Sequence, residues 1–192
     1  AAGILLSGRK TLLTEQGSIR YGAGMCFLIG LEQTGSFLFE RDAAGECLRS
    51  ISVKLDAGVL RELMAAAPVL KAEPGEFSGE QAGSYRVMPA PPGLLDAFSR
   101  LADLVLHPED VPVMGPLIIR EIHYRLLSSA FRGPLFSIFS QKGSVNRLAA
   151  SIRWMTEHYN ESFNLARMAD MAHMSQATFN RHFRALMCES PL

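Results

Sequence analysis

From Val145 onward the apolar residues of this chain recur at helical spacing in three short runs, and no other stretch narrows its possible folds so sharply. Val145, Leu148, Ile152, Met155 and Tyr159 form one stripe of a first helix. Asn160-Glu161-Ser162 breaks it, and Asn164 can cap a second helix with Leu165, Met168, Ala169 and Ala172 inward. His173-Met174 makes a tight turn, and Ser175 caps a third helix whose core face is Phe179, Phe183 and Leu186. At about 100° per residue, Ala177, Asn180, Arg181 and Arg184 then share the opposite face. The small Ala169 lets two helix backbones approach closely at the turn. The polar face has the chemistry of a major-groove reader: Arg bonds guanine bidentately, Asn bonds adenine, and Ala touches a thymine methyl. Periodicity alone is met equally by a three-helix cap whose polar face is merely solvated.

The upstream residues read differently. Residues 2–55 are short runs of Ile, Leu, Val, Phe and Thr separated by Gly-containing turns, the pattern of a β sandwich or barrel. Glu46–Leu55 alternates with Cys47, Ile51, Val53 and Leu55 on one face, interrupted by Arg49. Asp56 caps a helix striped by Val59, Leu60, Leu63, Met64 and Ala67 that ends before Pro68. Residues 71–91 form a loop with room for a short strand at Tyr85–Met88. Amphipathic helices are expected over Leu94–Leu106 and Pro116–Ser129, the second apolar on more than one face and so buried on several sides or against a partner subunit. Gly133-Pro134 starts a further short helix, and Gln141-Lys142-Gly143-Ser144 reads as a linker.

Composition excludes more than it identifies. At 48% hydrophobic and 20% charged, the 192 residues suit a globular protein with a real core. No apolar run approaches the roughly 20 residues that cross a bilayer. Ala1–Leu6 lacks the basic leader of a signal peptide, so a cytoplasmic protein is expected, with residues missing upstream of a start that has no Met. Cys26, Cys47 and Cys188 are too few and too scattered for a disulfide framework or zinc site, and are read as buried reduced thiols. The formal net charge is zero, a weak electrostatic footprint for a nucleic-acid binder. Gly22-Ala23-Gly24 lacks the continuation of a phosphate-binding loop, and Ser7 has no identifiable base. No catalytic constellation emerges, and no enzyme is expected.

The string Ile152-Arg153-Trp154-Met155 through His158-Tyr159, then Leu165–Ala172, then Met174-Ser175-Gln176-Ala177-Thr178-Phe179-Asn180-Arg181-His182-Phe183-Arg184, and Ser190-Pro191-Leu192, resembles the first helix-turn-helix of the AraC/XylS family. Upstream, Ser7-Gly8-Arg9-Lys10, Ser52-Val53-Lys54-Leu55-Asp56 and Pro116–Leu127 resemble the AraC-type N-terminal domain. The resemblance implies an α+β chain: a cupin-like, β-rich regulatory and dimerisation domain over residues 1–142, with following helices, then an incomplete all-α DNA-binding part over 143–192. It implies a transcription regulator whose partners are double-stranded DNA, a second copy of itself, a small-molecule effector and, if it activates, RNA polymerase. The alternatives are a cupin-like small-molecule enzyme and a pure dimerisation module.

Base contacts are expected from Ala177, Asn180 and Arg181, and phosphate contacts from Gln176, Arg184 and Arg167. Three departures stand out. Family members carry a second helix-turn-helix after the Ser-Pro motif, whereas this sequence ends at Leu192, so weak operator binding by it alone is expected. Ala166-Arg167 opens the second helix where relatives often carry acids; an Arg there opposes the helix dipole but can meet a phosphate. Cys188 stands where Gly is frequent. Cupin enzymes hold metal on strand histidines, and this chain has no His before His107, so no metal or other cofactor is expected. His107 and His123 are read as structural. Arg9 and Lys10 are the candidates for an anionic effector, against a plainer reading as solvated strand residues.

Overall fold

The structure, a computed structural model, describes residues 1–14, 17–30, 36–67, 70, 80–82, 85–139, 144–162, 164–187 and 190–191. In chain order its strands are β1 (Ala2–Ser7), β2 (Arg9–Thr14), β3 (Gly17–Gly22), β4 (Met25–Ile29), β5 (Ser36–Glu40), β6 (Arg49–Val53), β7 (Glu80–Ala82) and β8 (Tyr85–Pro89). The α-helices are α1 (Ala57–Ala66), α2 (Pro92–Asp103), α3 (Val111–Leu127), α4 (Arg132–Phe139), α5 (Ser144–Glu157), α6 (Leu165–Met171) and α7 (Gln176–Met187), with a 3₁₀ turn at Leu104–Leu106 after α2. Mixed antiparallel sheets and helices make this an α+β chain.

β1 reads Ala-Gly-Ile-Leu-Leu-Ser, an apolar run that has to be covered on both faces. It lies inside a five-stranded sheet ordered β6-β1-β4-β8-β7, beside a three-stranded sheet ordered β3-β2-β5. Successive side chains divide between two cores. Ala2, Ile4, Cys26 and Leu28 face the helices and join Leu60, Leu94, Phe98, Ile118, Ile122 and Leu126. Leu5, Phe27, Tyr85 and Val87 pack with Leu12, Ile19 and Tyr21 of the smaller sheet. The larger sheet is thus sandwiched between helices and the second sheet. Gly8, at φ +76°, turns the chain from β1 into β2 in a left-handed conformation where a Cβ would sit 2.5 Å from the Leu48 Cα.

The strand-rich segment does not end at residue 55. Within the stretch read as a loop, the short strand given room at Tyr85–Met88 is present as β8, the unforeseen β7 precedes it, and β8 pairs with β4 through Met25↔Pro89 to Ile29↔Tyr85. Their neighbours in sequence are Gly, Pro and Glu, so local pattern hid pairing that is made 60 residues away. Cys47 lies outside β6 and is exposed, whereas Cys26 is buried; Cys188 falls outside the described residues, as does Gln141–Gly143 of the expected linker.

Asp56 caps α1 as its position demands: its carboxylate accepts the Gly58 and Val59 amides. These bonds hold the carboxyl below the usual Asp range. His123 is fully buried, with Nδ1 2.7 Å from the Ile119 carbonyl and Nε2 accepting the Asp56 amide at 2.9 Å. It ties α3 to the start of α1, a structural role. α3 begins at Val111 rather than Pro116, because Pro112 is suited to the first turn of a helix and the helix tolerates the amide lost at Pro116. Of its apolar sides, one is buried in the chain's own core through Ile118, Ile122, Leu126 and Leu127, while Val111, Val113, Met114 and Leu117 are exposed.

Candidate functional site

α5, α6 and α7 enclose a separate apolar cluster of Leu148, Met168, Ala169, Ala172, Phe179, Phe183, Leu186 and Met187. Asn164 caps α6 by accepting the Arg167 amide, and Ser175 accepts the Thr178 amide at the start of α7. Between them the backbone closes a Schellman turn: the Met174 amide reaches the Ala169 carbonyl and the His173 amide that of Asp170, each at 2.9 Å. His173 takes the left-handed position at φ 51°, where Gly is the usual occupant. Ser151, fully buried, donates to the Met168 carbonyl at 2.9 Å and ties α5 to α6. A Ser amid helix-spaced apolar residues gave no sign of that role in the sequence.

Tyr159 departs from expectation. It follows the end of α5 and is 86% exposed, so it is no part of the inward stripe. The helix stops two residues short because the chain must turn toward Asn164.

Along α7 the inward residues Phe179 and Phe183 stack with ring centroids 5.7 Å apart. Gln176, Ala177, Arg181 and Arg184 are exposed on the other side, Asn180 is half-buried, and Arg184 donates to the Ser190 hydroxyl at 3.4 Å. Arg167 on α6 is exposed with its guanidinium carbon 4.4 Å from the centre of the Trp154 ring.

In the β region, strand alternation separates the two effector candidates: neighbours on β2 point to opposite faces. Lys10 shares a face with buried Leu12, and its ammonium lies 3.9 Å from the Phe37 ring centre, 5.4 Å from Phe27 and 5.9 Å from Phe39. Burial lowers its pKa below 10.5. Among the described residues no carboxylate pairs with it. Arg9 belongs to the other face, near the Asp42 carboxyl, which is held low chiefly by the Glu46 and Gly8 amides and least by the Arg9 charge. Close by, the Tyr21 and Tyr85 hydroxyls bond to each other, and burial pushes the Tyr21 phenol up to about 12 and Tyr85 higher still.

Two further features lie on the helical side. Val105 and Leu106 of the 3₁₀ turn are 80% and 76% exposed, and Val111, Val113, Met114 and Leu117 extend that apolar surface along the first half of α3. Beside it an open groove of about 450 Å³ is lined by Lys54, Leu55, Val59, Pro116 and Ile119, with Arg120 held by Glu62 through paired 2.9 Å bonds. Among the described residues no group of three or more His, Cys, Asp or Glu converges as metal ligands would, and no helix is long and apolar enough to cross a membrane.

Residues 1–133 match the family model for the AraC-type transcriptional regulator N-terminus. No curated protein matches the chain. Among solved structures, apo ToxT from Vibrio cholerae strain SCE256 is 11% identical, with 99% of this chain and 86% of that one covered at a TM-score of 0.39. ToxT from Vibrio cholerae O395 is 13% identical, with coverages of 99% and 85% and a TM-score of 0.36. Superpositions this loose carry no residue from one chain to the other.

Proposed function

The chain belongs to the AraC-type transcriptional regulators, and from that premise we propose that it regulates transcription by reading DNA sequence through α6 and α7 as a helix-turn-helix. The observation that carries this reading is the division of α7 into a buried aromatic face and an exposed face bearing Gln176, Ala177, Arg181 and Arg184. A recognition helix enters the major groove with its N-terminal residues on base edges while the preceding helix crosses the backbone. On that geometry Ala177, Asn180 and Arg181 read bases, and Gln176, Arg184 and Arg167 hold phosphates. Residues 143–192 then form the reading unit and residues 1–142 the regulatory one, with the two facing sheets as a cupin-like enclosure.

Within the regulatory part the effector meets Lys10 rather than Arg9. A half-buried ammonium surrounded by aromatic rings, with no described carboxylate beside it, suits a small organic anion with an apolar body. Dimerisation uses the exposed apolar surface of Leu104–Leu106 and the first half of α3, a concentration of apolar side chains that marks interaction sites.

A titration against a pool of randomised duplexes tests the main reading. Arg181→Ala should relax the preference at one base pair, and Arg184→Ala should weaken all sequences alike. If Arg181→Ala leaves the preferred sequence unchanged while Arg184→Ala alters it, the assignment of the α7 face is wrong. For the dimer, Leu117→Asp should shift the sedimenting species toward monomer; an unchanged dimer would move the interface elsewhere.

A further inference from the structure

Trp154 is the chain's only tryptophan, and both His158 and Arg167 lie against it. The His158 ring lies parallel to it, centroids 4.5 Å apart and planes 7° apart, and the Arg167 guanidinium sits 4.4 Å from its centre. Trp154 itself is half-buried against the three-helix cluster, so it is a fixed platform. Arg167 is exposed, and among the described residues no carboxylate pairs with it. Arg100, Arg120 and Arg125, by contrast, are held by carboxylates. Arg167 lies instead over an aromatic face, a contact that occupies none of its N–H donors. A cation held over a ring keeps its full charge and its fork of N–H donors, which can meet a phosphate bidentately. Holding it there also removes side-chain freedom before the contact forms, so less is lost on binding.

We propose that Trp154 is a positioning residue for DNA: its indole, braced by His158, holds the Arg167 guanidinium ready to clamp a phosphate of the duplex. This rests on the reading of α6 and α7 as the DNA-binding pair. The platform belongs to α5 and the clamp to α6, so the phosphate contact depends on how these two helices pack, which the Ser151 bond to the Met168 carbonyl fixes.

The test uses the whole chain and a labelled random-sequence duplex, because a phosphate contact is independent of sequence. Binding is measured over a range of salt for wild type, Arg167→Ala, Trp154→Leu, Trp154→Phe and the Arg167→Ala/Trp154→Leu double variant. One lost phosphate contact lowers the slope of log K against log salt by about 0.9. Arg167→Ala and Trp154→Leu should each do so and weaken binding roughly 3- to 10-fold. The double variant should lose no more than either alone, and Trp154→Phe should recover most of the loss. Wild-type Trp154 emission should change on adding duplex, and the change should vanish in Arg167→Ala. A purely structural tryptophan would lower the melting temperature and leave the slope unchanged, and that result overturns the proposal, as would additive losses in the double variant. If Arg181→Ala and Arg184→Ala also leave duplex binding untouched, the DNA reading itself fails; if they weaken it while Trp154→Leu does not, only the platform fails.

Discussion

The β region and the three-helix unit treat positive charge in opposite ways. Between the sheets, Lys10 is drawn in among Phe27, Phe37 and Phe39, where its ammonium is partly stripped of water. On the three-helix unit, Arg167, Arg181 and Arg184 are exposed while the interior holds no charge, only apolar side chains and the Ser151 hydroxyl among the described residues. A cation drawn inside suits a ligand small enough to enter after it. Cations arrayed outside suit a partner too large to be enclosed. A net charge of zero conceals both arrangements, because recognition depends on where charge sits.

The sharpest way to break that contrast is to remove the apolar support beneath the exposed cations. Phe179 is fully buried, so Phe179→Ala should cost about 3–5 kcal/mol and melt α5–α7. Hydrogen exchange should show that loss confined to residues 144–187, with the β region still protected; uniform loss would mean that the two regions unfold as one. Next in size, Arg181→Ala should cost about 1–3 kcal/mol of discrimination at one base pair, read from the randomised-duplex titration.

A smaller effect of opposite sign is expected at the turn between α6 and α7. His173 occupies a left-handed conformation that glycine adopts freely, so His173→Gly should stabilise the unit by up to about 1 kcal/mol in chemical denaturation. Destabilisation would show that the imidazole makes a contact worth more than the strain.

The smallest effect concerns Lys10 and is read as a pH slope. Its folded-state pKa is lowered by burial, so between that value and 10.5 the unfolded chain binds the extra proton. Stability from this group therefore rises as pH climbs through that window, and its penalty is fully present below it. Lys10→Met should abolish the rise, which thermal melts across the alkaline range would detect, and should abolish any stabilisation by an anionic effector. An unchanged slope would mean that the ammonium stays hydrated.

Much of the three-helix unit was legible because its signals are local. Asn164 and Ser175 are caps, and Phe179, Phe183 and Leu186 are spaced to share one face, so residues within a few positions of one another suffice. Tyr159 misled for the same reason: periodicity continues on paper past the point where the chain turns. The β region was legible in kind but not in extent. β8 is a short strand beside a Gly- and Pro-rich stretch, and only its pairing with β4 and β7 makes it an inner strand of the sheet.

The amino-acid order alone was enough for the α+β character, the Asp56 cap, and the choice of Arg181 and Arg184 over Phe179 and Phe183 as the outward face. All of these follow from backbone geometry and hydrophobic spacing. It could not separate Lys10 from Arg9, reveal the Ser151 tie, or bring Trp154 under Arg167. Those relations join residues on different elements, and a side chain 13 positions away in sequence becomes a neighbour only once α5 and α6 have packed. The same holds for Lys10: Phe37 and Phe39 come from β5, which pairs with β2 only once the smaller sheet has formed, and Phe27 comes from β4, which reaches it only when the two sheets face one another.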